Sequence, residues 1–135
     1  MTVKSISWIL EFTSKLPEEE QVKCLQANDV DAIKILLRAC FDPNIVFLLP
    51  EGDAPYTPCD LDGQENMLYR ESRKLHHFIR GGNDNLPQIK RERMFIELLE
   101  SVTPEDAKLL ISIKDKKLPY AISPSTILKA YPGLF

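Results

Sequence analysis

The chain is poor in the features that would make it a disulfide scaffold, a membrane protein or an enzyme. Its three cysteines, Cys24, Cys40 and Cys59, are odd in number and widely spaced, with no C-x-x-C pair. That pattern argues against a disulfide framework and for a reducing, cytoplasmic setting. The same spacing does not suit a structural zinc site, even with His76 and His77 added, so no metal is expected. No apolar run approaches the roughly 18 residues of a membrane span. The start, Met1 to Trp8, lacks a long apolar core and a small-residue cleavage site, so no signal peptide is expected. There is no P-loop, no G-x-S-x-G and no H-E-x-x-H. Adjacent histidines on a helix point about 100° apart, so His76 and His77 do not converge with Glu71 into an acid–base set. The sequence predicts no catalytic residues and no cofactor.

What is present is globular. Apolar residues make up 44% and charged residues 27% of 135, enough for one domain spanning 1–135 that buries roughly 65–70% of its unfolded surface. Helical spacing predicts an all-α bundle of about six or seven helices. Ile6, Ile9 and Leu10, with Trp8 beside them, mark a first helix over Ser5 to Lys15. Pro17 opens a second, with Glu18, Glu19 and Glu20 complementing its dipole. Asn28 is the expected N-cap of a third, carried by Val30, Ile33, Leu37, Cys40 and Phe41. The segment 42–63 holds four prolines and two glycines and is expected to be an irregular loop with a buried extended stretch at Ile45 to Leu49. A fourth helix is predicted from Gln64 to Arg80, ended by Gly81-Gly82-Asn83-Asp84-Asn85. A fifth runs from about Pro87 to Ser101, with Phe95, Leu98, Leu99 and Val102 as its inner stripe. Thr103-Pro104 opens a sixth and Ser123-Pro124 a short seventh.

Charge divides the chain. Residues 1–63 carry five basic and eleven acidic groups, a balance of −6, whereas 64–135 carry twelve basic and nine acidic, a balance of +3. Any nucleic-acid surface belongs to the second half. On an ideal fourth helix Arg70, Arg73, Lys74, His77 and Arg80 fall within about 120° of one another, a stripe able to follow phosphates or simply to face solvent, with Glu65 and Glu71 available to pair. Lys90, Arg91 and Arg93 sit near the start of the fifth helix, where positive charge opposes the macrodipole unless a phosphate, or Asp84 and Glu92, offsets it. Lys114, Lys116 and Lys117 follow the sixth helix, where cations are favourable on structural grounds alone. Ser123, Ser125 and Thr126 suit either phosphate binding or plain capping.

The stretch from Lys114-Asp115 through Ser123-Pro124-Ser125-Thr126-Ile127-Leu128-Lys129-Ala130 to Tyr131-Pro132-Gly133-Leu134 resembles the end of the N-terminal DNA-binding domain of ATP-dependent DNA ligases, especially those of T-even-type phages. Phe41-Asp42-Pro43-Asn44-Ile45-Val46-Phe47 is similar to the segment after the third helix of that domain. The chain departs from the pattern at Lys116, where leucine is usual, and at Ala121, where glycine is. No lysine opens a K-x-D-G adenylation motif. The resemblance therefore implies a stand-alone, non-enzymatic phage protein that grips double-stranded DNA, nicked or intact, through its sugar-phosphate backbone. Arg70, Arg73, Lys74, Lys90, Arg91, Lys114, Lys116 and Lys117 are the expected contacts. The alternative is an adaptor or inhibitor of phage replication or host machinery, presenting Glu18, Glu19, Glu20, Asp29 and Asp31 to a basic partner.

Overall fold

A computed structural model describes residues 4–135; Met1, Thr2 and Val3 of the start segment lie outside the described residues. The architecture is all-α. Helices α1 (Ile6–Ser14), α2 (Glu18–Ala27), α3 (Asp31–Phe41) and α4 (Met67–Glu71) precede a 3-10 helix, η1 (Ser72–Phe78). Then come α5 (Gln88–Ser101), α6 (Pro104–Lys114) and α7 (Pro124–Ala130). There is no strand among the described residues, only one antiparallel bridge between Phe47 and Ile79.

Three helix starts follow from side-chain capping. Ser5 caps α1 by accepting from Trp8 N, Thr103 caps α6 by accepting from Asp106 N, and Ser123 caps α7 by accepting from Thr126 N. Pro104 and Pro124 occupy first-turn positions that need no N–H donor. The capping hydroxyl of Ser123 is thus used within α7. The expected N-cap at Asn28 is corrected: Val30 precedes α3, and Asn28 closes α2 instead. Its backbone N–H reaches Cys24 O and Leu25 O, and its side-chain amide donates to Cys24 O at 2.8 Å, satisfying carbonyls that the end of α2 leaves open.

Helix α6 runs through the middle, packed on α1, α3 and α5, while α2 lies along α7 and α3 against α4 and η1. Leu10, Ile33, Leu37, Leu99, Leu109, Leu110 and Ile113 are sealed in the core, each burial stabilising by about 1.5–3 kcal/mol. The Tyr131 hydroxyl donates to Leu25 O and Asn28 O, so the aromatic of the exit motif fastens α7 to the end of α2. The Pro-rich loop is irregular as expected, and Ile45 to Leu49 within it are half-buried.

The predicted fourth helix is corrected in kind. The chain is α-helical only to Glu71, tightens into η1, and is extended by Ile79, where Phe78 O accepts from Leu48 N and Arg80 N donates to Val46 O. Ser72, Leu75 and Phe78 are all buried. Their spacing of three matches the three residues per turn of a 3-10 helix, which puts them on one edge. An α-helix would have swept them around its axis.

Asp106 is wholly buried between the first turns of α1 and α6, where its Oδ1 accepts from Ser7 N at 2.9 Å while Oδ2 has no partner among the described residues. Burial pushes its carboxyl above the ordinary value, against the hydrogen bonds from Ser7 and Thr103. A raised carboxyl pKa in the folded state means stability is greatest below the unfolded pKa and declines as pH rises through the folded one. Asp106→Asn keeps the acceptor and removes the charge, so it should gain on wild type between about pH 4 and 7. Asp106→Ala orphans Ser7 N and should cost about 1–3 kcal/mol at either pH. Urea denaturation of both variants at the two pH values checks this; a difference between Asp106→Asn and wild type that does not change with pH would contradict it.

Candidate nucleic-acid interface

The eight expected phosphate contacts separate into two groups. Arg70, Arg73, Lys74, Lys90 and Lys117 are exposed. Arg91, Lys114 and Lys116 are turned into the protein and are engaged there.

Arg91 is 4% exposed and ties three segments together. Its Nε donates to His77 O, one terminal nitrogen to Asn83 O and the other to Gln88 Oε1, at 2.6–2.9 Å. A guanidinium with five donors suits a place where several carbonyls converge. Its charge offsets the open carbonyl at the end of η1.

Lys114 is also buried, its Nζ donating to Pro50 O, Gly52 O and the Asp115 carboxylate at 2.7–2.9 Å. Asp115 in turn accepts from Gly52 N. The Lys114-Asp115 pair, the most ligase-like element of the turn, thus pins the Pro-rich loop to the end of α6.

Lys116 has φ of 62°, in the left-handed region. Lys116 N donates to Ile113 O and Lys117 N to Ser112 O, the pair of bonds that defines a Schellman termination of α6. Its Nζ reaches Ala39 O, Asp42 O and Ile45 O at 2.5–2.9 Å, capping the carbonyl end of α3. The position where the resembling turn carries leucine therefore holds a cation that joins α6 to α3. Lys117 remains exposed on this turn.

The outward-facing cations gather on α4, η1 and the start of α5. Residues 70–93 contain seven basic and three acidic groups, a local balance of +4. Helix η1 packs against α5. One groove between them is lined by Glu71, Lys74 and Met94, and a second, of about 410 Å³ and on α5 itself, by Lys90, Arg93 and Met94; Met94 and Glu97 border both. Arg93, outside the expected set, lines the second groove, and both Arg93 and Arg80 are exposed. Lys74 pairs with Glu71 at 2.7 Å, which partly offsets its charge.

The 3-10 geometry redistributes the predicted stripe. At about 120° per residue, Arg73 and His76 share one edge while Lys74 and His77 share another, yet the His76 and His77 rings, expected to diverge, meet with centroids 3.9 Å apart. Asn83 Nδ2 donates to His77 Nδ1 at 3.0 Å. Partial burial, with His76 and Lys74 close by, holds His77 below its ordinary pKa, so it adds no full charge at neutral pH.

The acidic residues proposed for a basic partner are exposed but partly matched. Glu18 pairs with Lys129 at 3.0 Å, Glu20 lies 3.8 Å from Lys23, and Asp29 pairs with Lys34. Lys129 holds the Glu18 carboxyl below its ordinary pKa. Glu19 and Asp31 are exposed.

No group of three or more metal-ligating side chains comes together among the described residues, and no helix among them is long and apolar enough to cross a membrane. The fold defines a small all-α protein whose basic groups concentrate in residues 70–93 of the sequence. The chain belongs to a family described as "Family of unknown function (DUF6433)", whose profile matches residues 9–120. No curated protein and no solved structure matches the chain.

Proposed function

We propose that this protein is a non-catalytic module that binds duplex DNA through its backbone, using the face formed by α4, η1 and the first turns of α5. The observation that carries the reading is the +4 balance of residues 70–93 on adjoining elements, with Arg70, Arg73, Lys74, Arg80, Lys90 and Arg93 exposed. Cations fixed along a surface release counterions when they meet phosphates, and they do so without reading sequence. The ligase-like order of the last stretch supports the same reading. Within it, Arg91, Lys114 and Lys116 act as positioning residues. Lys117 remains a peripheral contact.

Fluorescence anisotropy of labelled duplexes, intact and nicked, tests this across several salt concentrations. The expected result is binding that weakens steeply as salt rises, with little dependence on base sequence. Absence of binding at low salt, or binding insensitive to salt, would remove DNA as the ligand.

A further inference from the structure

Most large apolar side chains in this chain are buried, yet Trp8 and Phe12 are 45% and 47% exposed on the outer side of α1. They sit four residues apart, one turn along the helix. Their rings stack at 5.2 Å with an interplanar angle of 8°. The sequence placed Trp8 beside the inner face; the helix instead buries Ile6, Ile9, Leu10 and Thr13 and leaves the aromatic pair outward.

Trp8 lines an open groove of about 320 Å³, bordered also by Lys4, Glu11, Glu65 and Glu105. Among the described residues three carboxylates thus face one ammonium. Lys4 Nζ lies 4.8 Å from the centre of the Trp8 ring, so the free protein already keeps a cation at the π face. Glu11 is only 3.8 Å from Lys15, an exposed pair of small worth, and stays available. An excess of carboxylates repels nucleic acid and anionic lipid alike, while exposed aromatic surface favours a partner with apolar area to cover.

We propose that this groove is a docking site for an extended, arginine-bearing segment of a protein partner. A guanidinium takes the position over Trp8 that Lys4 holds in the free protein, and neighbouring basic groups pair with Glu65 and Glu105. Arginine fits better than lysine because its planar, weakly hydrated head stacks on an aromatic face and still bonds a carboxylate. The site shares no lining residue with the grooves along α5 and is tested without DNA.

Trp8 is the single tryptophan of the chain, so its emission reports on the site directly. The probe is a capped eight-residue peptide of alternating arginine and leucine, with lysine and glutamate versions as comparisons. The arginine peptide should change Trp8 emission saturably, the lysine version should bind several-fold more weakly, and the glutamate version should give no response. Glu65→Gln combined with Glu105→Gln should weaken the arginine peptide at least fivefold; both residues are exposed, so the fold is kept. Lys4→Ala, by removing the competing cation, should tighten it. No emission change up to millimolar peptide would overturn the proposal, as would equal binding of the arginine and lysine versions or indifference to the Glu65 and Glu105 changes. Emission that shifts with protein concentration alone would also overturn it, because the surface would then be covered by a second copy.

Discussion

Lys116→Ala is expected to destabilise the protein by about 2–3 kcal/mol, far more than a lysine in a surface turn normally contributes. Three backbone carbonyls, Ala39 O and Asp42 O at the end of α3 and Ile45 O in the loop after it, converge on its Nζ. Asp42 O also accepts from Ile45 N, so alanine leaves Ala39 O and Ile45 O to whatever water can reach them. The backbone pulls the other way. A left-handed conformation in a residue other than glycine costs about 1–2 kcal/mol, and at 62° Lys116 bears that cost where helices commonly use glycine. Lys116→Gly should therefore be less damaging than Lys116→Ala by about 1 kcal/mol, while remaining less stable than wild type. Chemical denaturation of the three proteins decides it. If Lys116→Gly equals or exceeds wild type, the carbonyl cap is worth no more than the roughly 1 kcal/mol of backbone strain that glycine relieves, well short of the effect expected here.

The second large effect is at Gly82. A Cβ built there would lie 1.9 Å from His76 O and 2.8 Å from His76 C, backbone atoms that cannot swing aside. Gly82→Ala must push the Gly81-Gly82 turn off the end of η1, at a cost of about 3 kcal/mol. Gly81 supplies the comparison: its φ is 87°, but a Cβ there would meet nothing within 4 Å. Gly81→Ala should cost only the backbone strain, about 1–2 kcal/mol. Because η1 carries Arg73 and Lys74, Gly82→Ala should also weaken DNA binding in protein that remains folded, whereas Gly81→Ala should weaken it less. Melting temperatures of the two variants, read beside their DNA affinities, check both halves. Equal destabilisation would mean the close approach to His76 is not what holds this turn.

Much of the fold was legible because its signals are local. Thr103-Pro104 and Ser123-Pro124 announce helices within two residues, and α6 and α7 begin there. The α4–η1 segment was misread because its basic residues satisfy helical spacing well enough to hide the three-residue rhythm of Ser72, Leu75 and Phe78. That rhythm was the signal to follow. Asn28 is a good capping residue in either direction, and only the placement of α3 after Val30 shows that it closes a helix.

The candidate site was half legible for a different reason. Lys114, Lys116 and Lys117 look alike in sequence, three cations after a helix. What separates them is the set of carbonyls waiting 62 to 77 residues upstream, which local chemistry does not reveal. Arg91 is hidden in the same way by partners at His77 and Asn83. Burial thus moves the weight of the DNA reading from the ligase-like turn to the surface of α4, η1 and α5.

The most direct test of that shift is the salt dependence of duplex binding by a triple variant, Arg70→Gln, Arg73→Gln and Lys90→Gln, beside wild type. All three side chains are exposed, so stability should be nearly unchanged. If they meet phosphates, affinity at about 0.1 M salt should fall at least tenfold, and the slope of log K against log salt should flatten by nearly 1 per residue, about 3 in all. An unchanged slope and affinity in a folded triple variant would contradict the assignment of this face as the DNA surface.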